Sequence, residues 1–121
     1  MMSERRGGNV VAKTAEERFA SIAEMELRAP GVTGGTGFGR SEGLRISGRI
    51  FAMLVKGELV VKLPKDRVEE LSDAGVGHPF DPGHGRLMKE WVAVPTEAGR
   101  RWPALVEESR EFVGPARRRR R

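Results

Sequence analysis

The sequence predicts an α+β domain: an antiparallel sheet, made of a three-strand meander plus a later strand, flanked by helices. Three observations predict it. Residues 49–64, RIFAMLVKGELVVKLP, read as a strand, a tight turn and a second strand. Shorter alternating stretches stand before it, at 44–47, and after it, at 86–94. Segments with apolar residues at helical spacing lie ahead of, between and behind these strands.

Residues 1–13 show no periodicity and read as a loose leader. Thr14 and Glu17 then form a capping box, each side chain able to satisfy an orphan backbone N–H. A helix should follow to about Arg28, with Phe19, Ile22, Ala23 and Leu27 as its buried stripe. Glu16, Glu17, Glu24 and Glu26 are expected in water. Pro30 disfavours helical geometry at Ala29 and marks the stop.

Residues 30–43, PGVTGGTGFGRSEG, are glycine-rich, and Phe38 is expected to tuck this connection against the core. A phosphate-binding glycine loop needs a strand before it and a helix after it. Here a helix precedes and a strand follows, so the segment reads as a connection.

In the strand at 44–47, Leu44 and Ile46 face the core and Arg45 faces outward. Ser47-Gly48 turns the chain into the hairpin. The first arm is apolar on both faces, with Phe51, Met53 and Val55 alternating with Ile50, Ala52 and Leu54, which suits a central strand. Lys56-Gly57 makes the turn. In the second arm Leu59, Val61 and Leu63 share one face, and Glu58, Val60 and Lys62 the other. Three such strands in succession form a meander.

Pro64 opens a second helix over 65–74, since proline at the first helical position loses no hydrogen bond. Asp66 suits the positive end of the dipole. Val68, Leu71 and Ala74 are read as inward, with Gly75 as the stop. Residues 76–85, VGHPFDPGHG, read as turns. Residues 86–94 read as the later strand. Thr96 is a candidate cap for a last helix running to Val113, whose inner face holds Trp102, Leu105, Val106, Ser109, Phe112 and Val113. Pro103 is tolerated only in a first turn, which sets the regular start near Gly99 or Arg100.

The formal charge is +5, from 22 basic and 17 acidic residues. Arg117, Arg118, Arg119, Arg120 and Arg121 are consecutive. Without those five, the 22 basic residues fall to 17, equal to the 17 acidic ones. The arginine run at the end of the tail at 115–121 therefore equals the whole excess, and the rest of the chain, domain 14–114 with its leader, is neutral by count. There is no cysteine, which removes disulfide and thiol chemistry and fits a reducing compartment. No apolar run approaches the roughly 18 residues of a membrane span, and residues 1–8 lack the apolar segment of a signal peptide. A cytoplasmic location without membrane association is expected.

Four stretches carry a family likeness: Phe38-Gly39; FAMLVKGELVVKLP at 51–64; the run Gly75, Phe80, Asp81, Pro82, Gly83; and MKEWVAVP at 88–95. With the element order, they make the chain resemble the TfoX N-terminal domain family, close to the YjbR-like proteins, over roughly residues 14–113. The resemblance implies a compact α/β domain with an antiparallel sheet flanked by helices and no established enzymatic activity or cofactor. Full-length TfoX-type proteins regulate natural competence, and YjbR-like proteins are often described as DNA-binding. Longer TfoX-type proteins carry a second, helical domain, where this sequence has its arginine run, so a role belonging to that domain is not carried over.

The expected function is a non-enzymatic regulatory or interaction module, with nucleic acid or a regulatory protein as partner. Arg117 to Arg121 are the candidate nucleic-acid contacts, since an arginine run neutralises phosphates without reading sequence. Arg40, Arg45, Arg49 and Arg86 are candidates to extend that patch. Two alternatives stand beside it. His78, Asp81 and His84 are spaced three apart and are all metal-ligand types, as a small metal-binding protein or metal-dependent enzyme would need. A homodimer built through the sheet or a strand edge is the other. Glu90 is expected to pair with Arg49, Lys62 or Arg86 on a neighbouring strand. No Ser-His-Asp arrangement is recognisable.

Overall fold

The computed structural model describes residues 14–34, 43–81 and 88–114. In chain order these form α1 (Ala15–Glu26), β1 (Val32–Gly34), β2 (Gly43–Ile46), β3 (Arg49–Val55), β4 (Glu58–Lys62), α2 (Lys65–Asp73), β5 (His78–Phe80), β6 (Met88–Val94), a 3-10 helix (Thr96–Arg101) and α3 (Trp102–Val113). The six strands make one antiparallel sheet in the order β1-β2-β3-β4-β6-β5. The α+β class and the meander are as predicted. The leader, Phe38 and the connection at 35–42, residues 82–87 and the tail lie outside the described residues.

Helix α1 begins as its capping box requires. Thr14 Oγ1 accepts from Glu17 N at 3.0 Å, and Glu17 Oε1 accepts from Thr14 N at 3.1 Å. Phe19 and Ile22 are buried, but the helix stops at Glu26, two residues short of expectation, with Leu27 as C-cap. Leu27 is exposed. Glu26, expected in water, is buried, because its carboxylate meets Arg110 of α3 at 2.7 Å.

Both hairpin turns have two central residues at positive φ: Ser47 (52°) with Gly48 (82°), and Lys56 (51°) with Gly57 (80°). That geometry matches the twist of the strands it joins. The register then sorts the sheet residues by face. Ala52 lies opposite Val61, Leu54 opposite Leu59, and Val61 opposite Val92. These join one core with Phe19, Ile22, Val68, Leu71, Leu105 and Val106 of the helices. Met53, Val60 and Ala93 form the neighbouring row, on the other face.

One irregularity shapes the core. Leu44 pairs with Ala52 but Arg45 pairs with Ile50, so Phe51 is the extra residue of a bulge. Phe51 and Ala52 are both fully buried. Ser109 of α3 sits against this point, its Oγ 2.7 Å from both Phe51 O and Lys62 O. A hydroxyl has one proton and donates to one carbonyl at a time. Thus a buried serine, on the inner face as predicted, donates to the carbonyl of the bulged Phe51 or to that of Lys62 on the next strand.

Strands β1 and β5 were expected as connection and turn. Each has three residues at a sheet edge. Proline is tolerated on an edge, where no partner needs its N–H, and Pro79 stands there opposite Val92. Just before β5, a Cβ on Gly77 would lie 2.7 Å from Ala93 O and 3.0 Å from Val92 Cγ2. Gly77→Ala should therefore push β5 off β6 at a cost of about 1–3 kcal/mol. Urea unfolding checks it, and an unchanged midpoint would mean the approach is looser than described.

Pro64 stands at the N-cap of α2, just ahead of the first helical residue, and Asp66 is in the first turn. Val68 and Leu71 are buried; Ala74 is not, being the exposed C-cap before Gly75 at φ 76°. Arg67 ties α2 to α3 through Glu108, with Nε to Oε2 at 2.8 Å and Nη2 to Oε1 at 3.3 Å, and also reaches Glu70 at 2.9 Å. The hydrogen bond to Glu108, then that to Glu70, raises the Arg67 pKa further. Thr96 does not cap α3. A 3-10 turn intervenes, and the regular helix starts at Trp102, with Pro103 in its first turn as its missing N–H requires. Its inner face is the predicted one, with Phe112 only half-buried.

Candidate nucleic-acid interface

The register brings residues of four strands together on one side of the sheet. Arg45 is next to last in β2, Arg49 opens β3, Lys62 closes β4, and Glu90 and Trp91 lie within β6. The tight turn at Ser47-Gly48 sets Arg45 and Arg49 on its two sides, with Arg45 Nη1 3.5 Å from Gly48 O. Lys62 lies directly opposite Trp91. Phe112 and Val113, the last turn of α3, close the remaining side. The result is an open groove of about 660 Å³.

Its electrostatics follow from the count of side chains. Three cations, Arg45, Arg49 and Lys62, share the lining with one carboxylate, Glu90. Glu90 Oε1 lies 3.9 Å from Lys62 Nζ, the cross-strand pairing expected from sequence, and both side chains are well exposed. An exposed pair of this kind is worth about 0–1 kcal/mol, so Lys62 is not tightly committed. Its ammonium also lies over the Trp91 ring, 5.9 Å from the centroid, near the far limit of a cation–π contact. The groove can receive an anion next to a half-buried aromatic face.

The other sequence candidates fall elsewhere. Arg117 to Arg121, Arg40, Arg86 and His84 lie outside the described residues. His78 sits on β5 with Nε2 3.1 Å from Glu58 Oε1 and Nδ1 3.3 Å from Pro79 O. Asp81 follows β5 and is exposed. Among the described residues no three His, Cys, Asp or Glu side chains are grouped as metal ligands would be. Of the predicted arginines, the fold brings Arg45 and Arg49 together. Sequence reasoning missed Lys62 and Trp91 as partners; both stand at outward positions of their strands, but only the register makes them neighbours.

Two further cavities are more apolar. One, of about 580 Å³, lies between α1 and strands β1 and β2, beside Phe19, Leu27 and Leu44. The other, of about 380 Å³, lies between α1 and α3, beside Ile22, Met25 and Pro103. No helix among the described residues is long and apolar enough to cross a membrane. No family model matches the chain, and neither does any curated protein or solved structure.

Proposed function

We propose that the protein is a non-enzymatic regulatory or interaction module of the TfoX N-terminal type, which associates with nucleic acid through the basic groove and the arginine run behind it. The observation that carries this reading is the convergence of Arg45, Arg49 and Lys62 beside the end of α3. Arg117 follows Gly114 by three residues, a reach of about 10 Å in extended chain. Phosphates attract both sets of cations, and the five arginines add the positive charge that the rest of the chain lacks by count.

The test is a binding titration over a salt series, comparing the full chain with one ending at Pro115. Five phosphate contacts contribute about 3.5 to the slope of log affinity against log salt on a single strand. Loss of the tail should flatten the slope by up to that amount and weaken binding most at low salt. Equal binding and equal slope would remove the tail from the account.

A further inference from the structure

We infer that the groove is a subsite for one unpaired nucleotide of a single-stranded nucleic acid, its base laid on Trp91 and its phosphates held by Arg49 and Lys62. This inference rests on the nucleic-acid reading above and narrows it to a class of ligand.

Three features carry it. The first is the pairing of an aromatic ring with cations on adjacent strands. Lys62 and Trp91 are register partners, and Arg49 opens the strand on the far side of Lys62. Stacking a base on an aromatic side chain while cations track the backbone is the general solution for unpaired strands. A duplex buries its base faces and cannot use the ring. The second is size. A groove of about 660 Å³ falls within the roughly 300–1,000 Å³ of small-ligand sites, room for a nucleotide but not for a helical duplex. The third is that the ring can be uncovered cheaply. Among the described residues, Lys62 is held over it by a distant contact at 5.9 Å and a loose ion pair at 3.9 Å. A phosphate is a better partner for the ammonium than either, so ligand binding moves Lys62 off the ring and opens the face for the base.

The chain supplies its own reporter. It has two tryptophans. Trp102 is fully buried in the core, and Trp91 is half-buried in the groove. Quenching of emission on adding a nucleic acid therefore reports on Trp91. The experiment titrates the full chain with a short oligothymidylate and with a duplex of equal length at low salt, following both emission and affinity. The single strand should quench and bind more tightly than the duplex. Trp91→Ala should weaken it about 5- to 150-fold, while Trp91→Phe should lose the quench and retain most of the affinity. Arg49→Ala, at an exposed position, should lower the salt slope by about 0.7. Circular dichroism confirms that each variant is folded.

Binding of both nucleic acids without quenching, with Trp91→Ala unaffected, would overturn the groove assignment and leave the tail as the whole interface. Tighter binding of the duplex would also overturn it. No binding of either would remove the wider nucleic-acid reading together with this one.

Discussion

Trp102→Ala is expected to lower the free energy of unfolding by about 3–5 kcal/mol, the range for removing a buried large aromatic side chain. Trp102 is fully buried and opens α3, so its ring fixes where the helix meets the rest of the core. Trp102 belongs to one contiguous core with Phe51, Leu59 and Val61 of the sheet and Leu105 of α3, so a void there opens in a core shared by the sheet and the helices. Its indole Nε1 also donates to Pro95 O at 3.3 Å, which ties the 3-10 turn down. Pro95 is only half-buried, so water can replace that donor. Most of the loss is therefore cavity and lost apolar contact, and the hydrogen bond adds about 1 kcal/mol. Trp102→Phe separates the two: it retains a ring and forfeits the bond and part of the volume, so it should cost clearly less than the alanine variant. Guanidinium unfolding followed by far-ultraviolet circular dichroism measures both, with an unchanged m-value as the sign that the transition remains two-state. A domain of this size holds about 5–15 kcal/mol in total. A loss below about 1 kcal/mol for the alanine variant would mean the ring does not hold the core as described.

Local signals made the elements around this core legible, and only tertiary contacts could supply the rest. The Thr14 to Glu17 box started α1 because its two hydrogen bonds close within one turn. The hairpin at Lys56-Gly57 was legible because a positive φ at both positions is a local demand. Val68 and Leu71, or Leu105 and Ser109, follow from helical spacing alone. By contrast β5 contains His78, Pro79 and Phe80, a turn-like composition, and becomes a strand only because the edge of β6 is free to pair with it. Likewise β1 lies in glycine-rich sequence and is held by β2. Thr96 looked like a cap by identity, but Pro103 sets the start of the regular helix downstream, and a 3-10 turn fills the gap. The groove was half legible. Arg45 and Arg49 flank a recognisable turn, whereas Lys62 and Trp91 are 29 apart in number and meet only through the β4 to β6 register.

The same limit explains why Glu26 was expected in water, and it leads to a sharper experiment. Glu26 on α1 and Arg110 on α3 are 84 residues apart and meet at 2.7 Å, with side chains only 10% and 24% exposed. Nothing in the spacing of α1 marks Glu26 as different from Glu24. Removing one partner of a buried pair strands the other charge. Arg110→Met should therefore cost about 2–3 kcal/mol, toward the low end because the guanidinium keeps some contact with water and with Glu107 at 3.9 Å. Glu26→Met should cost less, since Arg110 can turn toward Glu107, which is well exposed. The double variant Glu26→Met/Arg110→Met removes both charges and places two apolar side chains between α1 and α3. It should recover most of the loss, because replacing a buried pair by apolar groups of similar volume is often neutral or better. Denaturant unfolding of the four proteins gives a coupling energy, expected at about 1–3 kcal/mol and little changed by salt. The same cycle on Lys62 and Glu90 should give no more than about 1 kcal/mol and fade as salt rises. If the double variant is as unstable as the sum of the singles, the two side chains do not act as a pair. In that case α1 is held to α3 by Ile22 and its neighbours in the core alone.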